Sequence, residues 1–369
     1  MRILHTVQAY YPESGGSEEV VRKLSENLVS RGHEVTVATR RSPMRTFNEL
    51  NGVRIVEFEC GGNSVQGISG AAQSYRDFVA GGEFEIMMNY AAQIWTSDLL
   101  FDLLPSLKSK NVFVPCGYSL LRDPRYAGYY EKMPDILRRY DRVVYLSPDY
   151  IDAKYARENR IENGVVIPNG AGLSEFTESR RGEYRRKHGL NDELLLINVS
   201  NHSSLKNHAF FWNCVRMLKG EDVSSVLIGN AFHKFPKKWL TECYAQCRGQ
   251  GVRLGVPVLE SLPRAEVVEA YVDADIFIFG SLVECSPLVM FESFAGKTLF
   301  ITTECGNVKE YEDVVCIVKN ENEAVAIVKD FQKHPEKYQE RIEKGYSYFT
   351  GRLNWELIAV EYERLYLSL

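Results

Sequence analysis

An alternation that runs along the chain twice constrains the fold more than any other feature. Six apolar runs, RILHTVQ, HEVTVAT, NGVRIVEFE, FEIMMNY, NVFVPCG and DRVVYLS, follow one another before residue 150, several of them separated by helical stretches. RILHTVQ predicts a buried strand, HEVTVAT and NGVRIVEFE the next two strands, and the other three follow as short apolar runs of strand length. Between the first two, residues 17–31 predict a helix: Val20, Val21, Leu24 and Leu28 share one face, and Gly32 supplies the stop. Asn51 and Gly52 open the third run with a turn. Pro168, Asn169, Gly170 and Gly172 then interrupt the pattern, which reads as an interdomain turn. Beyond it the alternation restarts, with strands LLLINVS, VSSVLIG, DIFIFG, TLFITT and VVCIV and helices near 208–218, 237–247, 264–272, 288–295 and 321–333. Strands alternating with helices predict an α/β protein with parallel sheets covered on both faces. The 369 residues exceed one ordinary core, so the break divides two doubly wound domains, 1–170 and 171–351. The last segment, WELIAVEYERLYLSL, is an amphipathic helix that can complete either half.

The net charge of −5 disfavours a nucleic-acid partner. The opening MRILHTVQAYYPESGG is too polar for a signal peptide, and no window approaches the roughly 18 apolar residues of a membrane span. A cytoplasmic location is expected. The eight cysteines (Cys60, Cys116, Cys214, Cys243, Cys247, Cys285, Cys305 and Cys316) are scattered and none forms CxxC. Cys243 and Cys247 share a helix face but have no histidine pair near them in sequence, so reduced, packed thiols are expected and no metal. The basic run SRRGEYRRKHGL reads as the solvated face of a surface helix rather than as a membrane anchor.

The chemistry concentrates in ECSPLVMFE, residues 284–292. The strand DIFIFG ends just before it, Ser286 suits an N-cap and Pro287 the first helical position, so a helix is predicted to start inside the stretch. The amides of Leu288 and Val289 then lack intrahelical partners. A helix N-terminus at the carboxyl end of a parallel strand is where such folds bind phosphates. Glu284 lies in the loop before this helix and Glu292 on its second turn. Carboxylates accept hydrogen bonds from hydroxyls, so the pair suits a ligand with sugar hydroxyls on both sides of a diphosphate, as in a nucleotide-sugar. The competing reading makes Glu292 a solvated helix residue and Glu284 a loop charge.

With E-x7-E after an apolar strand, the sequence resembles the retaining glycosyltransferases of GT-B architecture in the large group called family 4. The resemblance runs along nearly the whole chain: GGSEEVVRKLSENLVSRGHEVTVAT near the start, IPNG at 167–170, SLKNH around Lys206, and AYVDADIFIFGSLVECSPLVMFESFAGKTLFITTECGNVKEY at the donor site. It implies two Rossmann-like domains facing across a cleft, the first on the acceptor side and completed by the final helix (about 352–369), the second binding the donor. Residue by residue, it implies that Glu284 holds donor-sugar hydroxyls, Glu292 the ribose, and Lys206 the diphosphate, with Glu284 and Lys206 the catalytic pair. Ser286, Leu288 and Val289 complete the donor site, and the Gly15–Gly16 loop lets backbone approach the phosphates. The base would lie near VPVLESLP. The resemblance further implies sugar transfer with retention from a nucleoside-diphosphate sugar, UDP favoured, to a glycan, lipid-linked glycan or small-molecule acceptor, with peripheral contact at the inner membrane face and no metal.

Two positions depart from the family. Asn201 stands where an arginine is usual, and Cys116, followed by Gly117, where a histidine near the sugar is usual. PCG, NHSSLK and ECSPLV together resemble one branch of the family in which these variants coexist. Cys116 has no partnering base in sight and is not read as a nucleophile. His202 and His208 read as helix-start and surface residues, with replacement of the lost charge as the alternative. Asp273-Ala274-Asp275 forms a DxD, which turn residues between a helix and a strand explain better than a metal. The sequons at Asn198 and Asn201 carry no meaning without secretion, and no GxGxxG follows the first strand. Two rival readings remain: a nucleotide-sugar epimerase of the same architecture, and a non-catalytic subunit that binds nucleotide or glycan.

Overall fold

Two large parallel sheets organise the chain, whose computed structural model describes residues 1–13, 15–230 and 238–369. They belong to two units, Met1–Asn169 with Trp355–Leu369, and Gly170–Asn354. The first contains β1 (Arg2–Thr6), β2 (Glu34–Arg40), β3 (Glu49–Leu50), β4 (Val53–Phe58), β5 (Cys60–Asn63), β6 (Gly67–Gly70), β7 (Ile86–Tyr90), β8 (Lys110–Val114), β9 (Arg142–Tyr145) and β10 (Gly164–Val166). Its eight-stranded sheet runs β10-β9-β8-β7-β1-β2-β4-β3, parallel except for the edge pair β3–β4. Asn51 and Gly52 make that edge hairpin, both with positive φ (50° and 79°) as a two-residue turn requires. β5 and β6 form a separate hairpin, and β10 extends the sheet just before the predicted interdomain turn, where the sequence reading names no strand. The sequence cue for both is weak: β5 and β6 hold four glycines between them, and β10 has three residues.

The second unit contains β11 (Leu194–Val199), β12 (Val223–Ile228), β13 (Val258–Leu259), β14 (Ile276–Phe279), β15 (Leu299–Thr303) and β16 (Cys316–Val318). All are parallel, in the order β13-β12-β11-β14-β15-β16. Numbered from the first strand of the unit, that is the dinucleotide-fold order 3-2-1-4-5-6. Because a strand's side chains point alternately up and down, each strand feeds two cores. Phe277, Phe279 and Phe300 enter one with Leu195 and Ile197, while Ile276, Ile278, Leu299 and Ile301 enter the other with Leu196. The helices Arg264–Asp273 and Leu288–Gly296 cover the first face, and His208–Met217 and Glu321–Lys333 the second. The predicted helix at 237–247 is longer, Lys238–Leu254, and its predicted first residue, Lys237, lies outside the described residues. Among the described residues no helix is long and apolar enough to cross a membrane.

The final helix, Trp355–Leu367, belongs to the first unit. There it meets Gly16–Ser30, the first helix, and the two are joined through β1 by one histidine. His5 is wholly buried, with Nδ1 2.8 Å from Ser25 Oγ and Nε2 3.3 Å from Tyr366 Oη. Burial penalises its charged form and lowers its pKa from 6.5 to about 3.

Two outcomes follow from this packing. His5 is neutral in the folded state and protonates near 6.5 when unfolded, so the unfolded chain binds more protons below that pH. Its share of stability is complete above 6.5 and is lost as pH falls toward 3. We expect denaturant melts to show an acid-side loss on the order of 3 kcal/mol by about pH 4, which His5→Gln flattens. At Gly280 an added Cβ would lie 2.4 Å from the Cβ of Phe210, which has no flexible end to move aside. Gly280→Ala should lower stability by about 1–3 kcal/mol in urea titration.

Candidate functional site

In the second unit the strand order reverses between β11 and β14, the place where folds of this order open a crevice at the carboxyl ends of their strands. The loops leaving these two strands carry Lys206 and Glu284. They are sewn together by backbone-directed bonds. The Leu282 amide donates to Leu205 O (2.8 Å), as does Ser281 Oγ (3.1 Å), and Asn207 Nδ2 donates to Gly280 O (3.0 Å). Asn207 takes positive φ (46°), which asparagine tolerates, and so turns the loop into the helix His208–Met217. Lys206 Nζ ends 2.6 Å from Glu284 Oε1, which also accepts from Ser281 Oγ at 2.7 Å. A third loop, after β15, closes on the second: Gly306 has φ of 57°, and a Cβ there would lie 2.8 Å from Cys285 O.

The helix Leu288–Gly296 begins one residue later than the sequence predicts. Pro287 occupies its N-cap position, no side chain caps it, and Ser286 Oγ instead accepts from Asn307 Nδ2 at 3.3 Å. Proline has no amide to satisfy there, and Leu288 and Val289 remain the first two helical residues, with no acceptor one turn earlier. Glu292 is buried (8 % exposed) rather than solvated, and its Oε1 is 2.6 Å from Arg264 Nη1. Arg264, which the sequence reading passed over, also pairs with Glu175 (2.9 Å) and lies over the ring of Phe176. It is one wall of a surface pocket lined also by Glu175, Arg180, Glu183 and Glu269, to which the paired loops contribute no residue. Its signal was present in the sequence: an arginine opening a helix, where a cation is unfavourable unless a carboxylate holds it.

Asn201 lies on the first of these loops, but its side-chain Oδ1 accepts from the backbone amide of Asn230 at 3.2 Å and so ties the end of β11 to the end of β12. His202 and His208 are not surface residues: they are 0 % and 4 % exposed. The DxD pair is fully engaged in the fold. Asp273 accepts from the Gly182 amide and from the Arg185 amide (2.9 Å), capping the short helix Glu183–His188. Asp275 accepts from Leu195 N (2.9 Å) and from Arg185 Nη2 (2.8 Å). The basic run is therefore ion-paired rather than merely solvated, with Lys187 on Glu269 at 2.5 Å.

In the first unit Gly15 is the N-cap of the helix Gly16–Ser30, so Gly16 is helical and not in a loop. Nothing lies within 4 Å of a Cβ built at Gly16, whereas one at Gly15 would meet the carboxylate of Glu18. Burial raises Glu18 from 4.5 to about 7, against the opposing pull of its own backbone amide. Cys116 and Gly117 both take positive φ (59° and 82°), and the Gly117 amide donates to Asp152 Oδ2 at 2.9 Å. The Cys116 thiol lies 3.7 Å from Tyr90 Oη, and burial pushes its pKa up to about 11, the opposite of what a nucleophile needs. The charge of Glu18 bears on Cys116, and Glu18 was missed because one of two glutamates in a helix's first turn carries no distinguishing pattern.

Comparison with known proteins places these loops in context. Residues 180–348 match the family model for glycosyl transferases group 1, and residues 15–170 match that for a glycosyl transferase 4-like domain. A comparison with curated protein sequences gives no significant match. Among solved structures, sucrose-phosphate synthase from Thermosynechococcus elongatus aligns with a TM-score of 0.81 at 16% identity, covering 100% of this chain and 98% of that one. A glycosyltransferase from Rickettsia africae aligns at 0.78 and 15%, covering 100% and 98%. HepE of Anabaena, in complex with UDP-glucose, aligns at 0.76 and 16%, covering 100% of both chains. Two Rossmann-like parallel-sheet units with these neighbours make the fold GT-B, and the two matched models show that the chain belongs to the glycosyl transferases of group 1.

Proposed function

We propose that this glycosyltransferase moves a sugar from a nucleoside-diphosphate sugar to a hydroxyl of a glycan, glycolipid precursor or small molecule, with retention, and that UDP is the preferred nucleotide. The observation that carries the reading is the Lys206–Glu284 pair at the reversal of strand order, beside an uncapped helix start. A lysine is a compact cation suited to a dispersed diphosphate charge, and the free amides of Leu288 and Val289 suit phosphate oxygens. Glu284 would then exchange its lysine for sugar hydroxyls. Glu292 would accept from the ribose while Arg264 holds one of its oxygens in place. UDP-glucose in the Anabaena neighbour supports the choice of nucleotide.

The transfer would draw on leaving-group stabilisation. As the glycosidic oxygen departs on the diphosphate, negative charge develops there, and Lys206 and the helix amides would receive it. No side chain is needed as covalent nucleophile, consistent with the raised thiol of Cys116. Asp273 and Asp275 are committed to backbone and arginine, so they are not offered as metal ligands for this step. Peripheral contact with the inner membrane face belongs to the lipid-linked form of the acceptor.

Thermal unfolding with UDP, GDP, ADP and dTDP tests the site. A nucleotide at about 100 times its dissociation constant should stabilise the wild type by ~2.7 kcal/mol. Glu292→Gln, which keeps the shape of the buried site, should lose most of that response, and Glu292→Ala should lose it with a lower baseline melting temperature. If no nucleotide shifts the wild type at millimolar concentration, the site does not bind a nucleoside diphosphate and the non-catalytic reading replaces this one. Lys206→Ala should lower kcat by about 10²–10³-fold in a sugar-release assay, the loss seen when one charge-stabilising donor is removed. An altered nucleotide-sugar formed without any acceptor would show an epimerase instead.

A further inference from the structure

Behind the Lys206 loop, four side chains of the two metal-ligating types converge. His202 and His208 flank Lys206 in sequence, and Cys243 and Cys247 lie one helical turn apart on Lys238–Leu254. One donor atom from each lies within 4.8 Å of all the others. His208 Nδ1 is 3.2 Å from Cys247 Sγ and 3.6 Å from Cys243 Sγ. A tetrahedral zinc with Zn–S near 2.3 Å and Zn–N near 2.0–2.1 Å separates its ligand atoms by roughly 3.3–3.8 Å, so these spacings fall at or close to that range.

Two further observations point to a ligand. His202 is wholly buried, and among the described residues neither of its ring nitrogens makes a well-formed hydrogen bond. A buried polar group left so is disfavoured unless something binds it. His208 is oriented from behind. Ser200 Oγ donates to Asn198 Oδ1 (2.7 Å), so its oxygen accepts from His208 Nε2 (2.8 Å), which leaves the Nδ1 lone pair facing the two thiols. On the other side Trp212 Nε1 donates to Cys247 Sγ at 3.4 Å, the kind of outer bond that steadies a ligating thiolate.

We propose that His202, His208, Cys243 and Cys247 bind one divalent cation of borderline softness, zinc by its chemistry, in a closed four-coordinate structural site. Binding releases the two thiol protons to solvent, and four protein ligands leave no open position for substrate. The ion would fasten the loop between His202 and His208, and so Lys206, to the helix Lys238–Leu254. The assignment does not depend on the sugar-transfer reading.

The test uses the full chain, purified without chelator from zinc-supplemented cells and analysed by elemental mass spectrometry. We expect close to one zinc per chain. Replacement by Co²⁺ should give a thiolate-to-cobalt charge-transfer band and intense tetrahedral ligand-field bands. Cys243→Ser with Cys247→Ser should abolish the charge-transfer band, and His202→Gln should weaken the ligand-field bands while keeping charge transfer. Should these variants fold poorly, chelator stripping of the wild type should lower its melting temperature, and zinc should restore it. Less than about a tenth of an equivalent of metal in reduced protein would overturn the proposal. So would cobalt spectra unchanged in the cysteine variant, or a Cys243–Cys247 disulfide in protein kept under native reducing conditions.

Discussion

The reversal of strand order between β11 and β14 is the constraint on which the site depends. At that point the crossover helices leave for opposite faces of the sheet, and the two loops would diverge if nothing tied them. Magnitude shows what does. A lysine–glutamate pair near the surface contributes ~0.2–1 kcal/mol, whereas three hydrogen bonds directed at backbone carbonyls each contribute ~1 kcal/mol and also satisfy groups that cannot turn to water. The bonds from Leu282, Ser281 and Asn207 therefore hold the loops, and the Lys206–Glu284 pair is the part that can be exchanged. The proposed ligand, offering phosphate to one partner and hydroxyls to the other, would replace a weak pair with stronger ones and leave the loops in place.

The carboxylates of the second unit show why residue type alone does not define a site. Asp273 and Asp275 sit at the amino-terminal edge of β14, where each accepts from backbone amides and from Arg185 or its main chain. Glu284 and Glu292 sit beyond the carboxyl end of the same strand, Glu284 against Lys206 and Glu292 against Arg264. The first pair fastens the fold, and in the proposed function the second would be offered to the ligand. Four residues of strand separate the two situations.

Much of this was legible in the sequence, and what was not has physical reasons. Strands such as DIFIFG were plain because both faces are buried, so the run is apolar without a break. The short elements β10, β13 and the β5–β6 hairpin were not plain, because two to four residues carry no period. Glu284 and Glu292 could be picked out through their place after an apolar strand, and Lys206 only through the family resemblance of SLKNH. Arg264 could not be assigned to Glu292 because the contact joins two neighbouring helices at residues far apart in the chain. The basic run misled in a similar way: its exposure was read correctly, but its partners, Glu269 and Asp275, lie on the far side of the unit's sequence.

The four-residue cluster behind Lys206 extends that lesson. Spacing rules for metal sites describe ligands gathered by one loop or one helix, and Cys243 and Cys247 satisfy half of such a rule. The missing half lies across a β-strand: His208 meets Cys243 at a separation of 35 residues and Cys247 at 39. In a parallel sheet, successive crossover helices on one face are neighbours whatever the length of chain between them. Here Phe210, Phe211, Trp212 and Cys214 from one helix and Cys247 from the next share one core. Ligand pairs on adjacent crossover helices are thus as near in space as a CxxC pair, and no local pattern reports them. Because two of the four flank a lysine whose long stem is otherwise free to swing, fixing them would restrict Lys206 at its backbone while leaving its ammonium free to choose between Glu284 and a phosphate.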